Sequence, residues 1–139
     1  MSDSSDDEPQ RFAFKFQKLY LPMLAAIGVT PATAHVVVTE DRVVARFGPW
    51  LCSTPLANVT DVCQTGPYTA VKAIGARLSS TDRGLTLGTT TEGGVCLTFE
   101  QPITGLDPLG VLRHPGLTVT VADTAGFMAA VREGAGLRQ

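Results

Sequence analysis

Apolar and polar side chains alternate with a period of two through much of this 139-residue chain, and no other feature limits its fold as strongly. In "RFAFKFQ", Phe12, Phe14 and Phe16 fall on one side of an extended backbone, with Arg11, Lys15 and Gln17 opposite. In "LTVTVAD", Leu117, Val119 and Val121 stand against Thr118 and Thr120. Successive side chains of a strand point to opposite faces, so this beat marks strands with one buried face. A 44% share of apolar residues suffices for one domain with its own core. Aromatic residues make up only 6%, with Trp50 the single tryptophan, so the core draws mainly on Val, Leu, Ala and Phe.

The same reading continues along the chain. Runs 34–39 and 43–47 predict a hairpin with Glu40, Asp41 and Arg42 at its tip, and Gly48 and Pro49 end its second strand. Trp50 opens a third strand, which Pro55 must bend or confine to an edge. Past that proline, Leu56, Val59 and Val62 are not spaced by twos, which predicts a short helical turn or bulge. After the turn at Gly66 and Pro67, Ile74, Ala76 and Leu78 alternate against Arg77 and Ser79, and Gly75 suggests a bulge or close backbone approach. Residues 19–38 contain no Asp, Glu, Lys or Arg over about the length of a membrane span. Pro22, Gly28, Pro31 and His35 interrupt them, so a buried loop feeding a strand is expected in place of a membrane helix.

The stretch "DRGLTLGTTTEGGVCLTFEQP" invites a phosphate-binding reading, because Gly88 and Gly93 are spaced as in a P-loop. That motif continues with Lys and then Ser or Thr, whereas Gly94 and Val95 stand here. Leu85 and Leu87 followed by Val95, Leu97 and Phe99 predict two strands, read as a hairpin turning at Gly93 and Gly94. Cys96 then faces away from the Val95, Leu97 and Phe99 row. Residues 102–116, rich in Pro and Gly, read as a loop before strand 117–121. Asp123 or Thr124 caps a closing helix with Phe127, Ala130 and Val131 on one face and Gly134 or Gly136 as its stop.

The charge balance narrows function. The chain holds 11 Lys and Arg against 13 Asp and Glu, and four of those acids, Asp3, Asp6, Asp7 and Glu8, sit in the first ten residues. The remainder is nearly neutral, far from the basic footprint of a nucleic-acid binder. Residues 1–10 read as a disordered acidic tail without a secretory pattern, 11–134 as one domain, and 135–139 as a flexible terminus. Cys52, Cys63 and Cys96 form no CxxC and lie at no metal spacing, so reduced thiols and a cytoplasmic location are expected, with no metal and no cofactor. The two histidines form no catalytic constellation: His35 sits in an apolar strand, and His114, in the Pro/Gly-rich loop, is expected to meet solvent or a partner. A non-enzyme is the expectation.

Seven or eight short strands in a meander, closed by one helix, resemble the pleckstrin-homology-like (PH-like) fold, and "VTEDRVVARFG", "TPLANVTDV" and "LTVTVADTAGFMAAV" carry the likeness to its bacterial members. The resemblance spans residues 11–134. It implies a mainly β chain: a bent antiparallel β-barrel or sandwich of about seven strands with a C-terminal capping α-helix. The first hairpin of lipid-binding members is basic, whereas here Arg42 stands beside Glu40 and Asp41, so no phosphoinositide site is carried over. Phe127 replaces the tryptophan usual in the helix of eukaryotic members.

The candidate contact residues are Tyr68, Lys72, Arg77, Arg83, Arg113 and His114, near turns that would form a small cationic patch for an acidic peptide or anion. An ordinary solvated face is the plainer reading of the same residues, with Asp82 and Arg83 pairing. The function expected is non-enzymatic binding or scaffolding through loops or a sheet edge, with a protein partner or a second copy and with neither nucleic acid nor a membrane span. The alternative is a small-molecule carrier whose phenylalanine row lines the barrel interior.

Overall fold

The alternation becomes two sheets. The computed structural model describes residues 9–67, 74–78, 84–105 and 112–137. Strands β1 (Gln10–Ala13), β2 (Ala34–Val38), β3 (Arg42–Phe47) and β4 (Trp50–Pro55) form an antiparallel sheet in chain order. Its inward residues, among them Phe12, Val36, Val43, Ala45, Phe47 and Cys52, are buried. Pro55 ends β4, and the 3-10 turn Leu56–Asn58 carries the chain into the second sheet. Of the bend or edge expected at Pro55, β4 is an edge strand, and of the helical turn or bulge expected after it, the helical turn is present.

The second sheet holds β5 (Val59–Thr65), β6 (Gly75–Leu78), β7 (Leu85–Gly88), β8 (Gly94–Ile103) and β9 (His114–Val119), in the order β5-β8-β9-β7-β6. This order corrects two expectations. Strands β7 and β8 both exist, but they do not form a hairpin: β9 lies between them, antiparallel to β8 and parallel to β7. The sheet is thus mixed, and the chain is not a simple meander. The physical reason lies in the turn residues. Thr89 N donates to Thr120 Oγ1 at 2.9 Å, and Gln17 Oε1 accepts from Thr90 Oγ1, Thr91 N and Thr91 Oγ1. The "GTTT" stretch is anchored on the chain after β1 and β9, so it does not fold β8 back onto β7.

At one corner backbone pairing joins the two sheets. Phe14 bridges Val121, Lys15 N donates to Thr120 O at 2.9 Å, and Ala122 N donates to Ala13 O at 2.9 Å. They do not close into a barrel. Nine strands appear among the described residues, where about seven were expected.

Between the sheets a mostly aliphatic core holds a few paired phenylalanines. Phe14 packs on Phe47 with ring centroids 5.3 Å apart, and Phe12 meets Phe127 edge-on at 5.3 Å. Helix α2, the C-terminal element (Thr124–Ala135), starts where Asp123 Oδ1 accepts Gly126 N at 2.9 Å and buries Phe127 and Val131. It stops at Gly136, whose φ of 73° needs no Cβ, while Leu137 N closes on Arg132 O at 2.8 Å. Gly134 lets the helix settle onto the 3-10 turn, since a Cβ there would stand 2.5 Å from Leu56 Cδ1.

The uncharged run after β1 is corrected in part: it feeds strand β2 as expected, but its first half is not a buried loop. It forms a 3-10 turn (Lys18–Tyr20) and a short helix, α1 (Leu21–Ala26), that buries Leu24 but leaves Leu19, Met23 and Ile27 exposed. Six residues starting with "LP" are too few to display a helical period. None of the described helices is long and apolar enough to cross a membrane.

Candidate functional site

Strand pairing assembles what the chain keeps apart. On the outer face of the first sheet, the register aligns Arg11, Val37, Val44 and Ser53 in one row, and Ala13, His35, Arg46 and Leu51 in the next. Arg42 pairs with Pro55 beyond them. These positions alternate with the buried ones, so all ten point outward. Three are arginine, one is histidine and none is acidic.

The charged groups have defined settings. Arg11 Nη2 lies 3.2 Å from His35 Nδ1. Arg42 grips Ser53 Oγ through Nε at 3.1 Å and Nη2 at 2.7 Å, which ties its guanidinium across to β4. Arg46 Nε donates to Gly48 O at 3.4 Å. Burial first, then the Arg11 and Arg46 charges, holds the His35 imidazole below its ordinary range. Val37 and Val44 are half-buried between these cations, and Leu51 is 60% exposed. The result is an apolar strip edged by positive charge. Glu40 and Asp41 lie on the β2–β3 turn, where the Asp41 carboxylate accepts from Thr39 Oγ1 at 3.1 Å.

A second concavity lies where β4 meets β8. It has a volume of about 460 Å³ and is lined by residues 53–55, 57–58 and 100–103. A bulge in β8 creates it: the pairings Thr98 with Gly116 and Ile103 with His114 set five steps of β8 against two of β9. Pairing with β5 ends at Val59 and Phe99, and the Asn58 side chain continues it. Its Nδ2 donates to Gln101 O at 2.9 Å and to Thr54 Oγ1 at 3.0 Å, and its Oδ1 accepts Gln101 N at 2.8 Å. The amide of this groove is therefore engaged in holding the fold, and among the described residues Glu100 is the one ionisable member of its lining.

The residues expected to form a cationic patch fare differently. Tyr68, Lys72 and Arg83, with Asp82, lie outside the described residues. Arg77 is exposed on β6, its Nε donating to Ile74 O at 2.8 Å. Arg113 is also exposed, just before β9. Arg77 aligns through Thr86 with Thr118, five residues beyond Arg113, which separates the two by about 16 Å along the strands. His114 is corrected outright: it opens β9 opposite Ile103 and is fully buried. Its neighbours in sequence, Arg113, Pro115 and Gly116, suggest a loop, but pairing with the end of β8 draws it inside.

Sequence reasoning missed Arg11, Arg46 and the partnership of His35 with them. The available signal was the outward phase of the same alternation, summed over adjacent strands. Among the described residues, no group of three or more His, Cys, Asp or Glu is placed to hold a metal ion. Burial pushes the Cys52 thiol up to about 11, which leaves it a poor nucleophile. No protein-family model matches the chain, and no curated protein or solved structure matches it either.

Proposed function

We propose that this chain is a non-enzymatic binding module of PH-like architecture, cytoplasmic, that seats an acidic segment of a protein partner on the outer face of its first sheet. One observation carries the reading: Arg11, Arg42, Arg46 and His35 converge on one face whose ten outward strand positions include no carboxylate. Val37, Val44 and Leu51 give that face an apolar floor, and an apolar centre with a charged rim is the common anatomy of a protein interface. The PH-like assignment draws support from two packed sheets followed by a helix that buries Phe127 and Val131 against them. A net charge of −2 favours a local acidic peptide over the long polyanion of a nucleic acid. The carrier alternative gains little, because Phe12 and Phe14 of the inward row are packed on Phe127 and Phe47.

The test is fluorescence anisotropy of a labelled peptide rich in Asp and Glu, titrated with the full chain. Binding is expected to saturate, to weaken with added salt, and to exceed that of a Lys-rich peptide. Exposed ion pairs contribute about 0.2–1 kcal/mol each. Replacing Arg11, Arg42 and Arg46 together by Gln is therefore expected to weaken binding roughly threefold to a hundredfold. Unchanged affinity in that variant, or tighter binding to duplex DNA than to the acidic peptide, overturns the reading.

A further inference from the structure

The second sheet carries a pair of thiols in register on its outer face. Cys63 of β5 and Cys96 of β8 are direct cross-strand partners, followed in the same row by Thr118 of β9 and Thr86 of β7. Both cysteines are in the thiol state; Cys63 is exposed and Cys96 half-buried. Neither is used by the binding face, which belongs to the other sheet. Cys52, the third thiol, is buried in β4.

We infer that Cys63 and Cys96 form a redox modification site, a dithiol that low-molecular-weight disulfides convert reversibly to a cross-strand disulfide. The geometry supports this at two levels. Directly opposed residues of an antiparallel pair have Cα atoms about 4.5–5.5 Å apart, inside the disulfide range of about 4.4–6.8 Å. Their Cβ atoms stand about 4.5–5.5 Å apart, whereas a disulfide needs about 3.5–4.5 Å. Closing that difference draws an edge strand toward its neighbour, and exposed or strained bridges are the ones thiols reopen. Among the described strands β5 is at the edge and has one neighbour, β8, to move against.

The exchange balances in two steps. The exposed Cys63 thiolate attacks one sulfur of the small disulfide RSSR; the S–S bond breaks, and RS⁻ leaves and takes up the proton Cys63 gave to solvent. The Cys96 thiolate then attacks the Cys63 sulfur of the mixed disulfide and displaces the second RS⁻, protonated in turn. Two protein thiols are oxidised by two electrons, and RSSR is reduced to two RSH. The reverse sequence restores the dithiol.

The test uses the full chain and oxidised glutathione as the probe, with alkylation in denaturant followed by intact-mass measurement and peptide mapping. The expected product has lost two hydrogen atoms, retains one alkylatable thiol, Cys52, and contains a peptide linked through Cys63 and Cys96. Excess reduced glutathione returns all three thiols. Cys96→Ser is expected to accumulate a glutathione adduct on Cys63, because the resolving thiol is gone. The inference is overturned if the parent chain keeps all three thiols, if a mixed disulfide on Cys63 persists in it, or if the bridge forms through Cys52 or between two chains.

Discussion

Replacing Asn58 by Ala removes a side chain that substitutes for a strand. Beyond Val59 and Phe99, β8 no longer pairs with β5, and the Asn58 amide serves the backbone N–H and C=O of Gln101 together. Its remaining donation goes to Thr54 Oγ1, and Thr54 is buried. A typical hydrogen bond contributes about 0.5–1.5 kcal/mol net. The two bonds to Gln101 are open to water, which takes over after truncation, so each belongs at the lower end, about 0.5 kcal/mol. The bond to buried Thr54 belongs nearer the upper end, about 1 kcal/mol. The expected loss is therefore about 2 kcal/mol, and with a urea slope of about 2 kcal/mol/M the midpoint drops by about 1 M. Trp50, the single tryptophan, packs near Phe47 at 6.2 Å and reports unfolding by fluorescence. Asn58→Asp keeps the acceptor for Gln101 N but forfeits both donations while ionised. Its destabilisation is expected at neutral pH and shrinks as acid protonates the new carboxyl. A midpoint for Asn58→Ala within the error of the parent refutes the idea that this amide stands in for strand pairing.

Two further outcomes follow from the packing and the charges. Phe127→Ala empties a fully buried site beside Phe12, and calorimetry or urea unfolding is expected to show a loss of about 3–5 kcal/mol. A loss under about 1 kcal/mol shows that the helix is not docked through this ring. His35 has its pKa lowered in the folded chain, so the unfolded chain binds the proton at higher pH. Its contribution to stability is present above the ordinary histidine range and declines as pH falls through the depressed value. His35→Gln is expected to flatten that part of the stability profile, which urea midpoints across a pH series measure, and an unchanged slope contradicts the setting described for this imidazole.

Most strands and the closing helix were legible because each rests on a local pattern, whereas β5 was not, because the register shift between Val59 and Asp61 breaks its alternation. The Ala34–Val38 and Arg42–Phe47 hairpin follows from alternation on either side of a charged turn, and α2 follows from Asp123, Phe127 and Gly136 at their proper offsets. Neighbour relations were not legible. A period of two says which side chains share a face but not which strand lies alongside, so the insertion of β9 between β7 and β8 is invisible in "LTLGTTTEGGVCLTF". His114 illustrates the same limit, since its burial depends on Ile103, eleven residues away. The cationic face depends on it too: Arg11, His35 and Arg46 each alternate outward in plain view, but only the order β1-β2-β3-β4 brings them together.

The most direct measurement is a two-dimensional ¹⁵N–¹H NMR titration of the full chain with an Asp- and Glu-rich peptide. Acidic-segment docking on the first sheet predicts that the shifts gather at the amides of Arg11, His35, Val37, Val44, Arg46 and Leu51. Shifts gathered instead along the Asn58 and Gln101 groove or around Leu19 and Met23, or no shifts at all, contradict it.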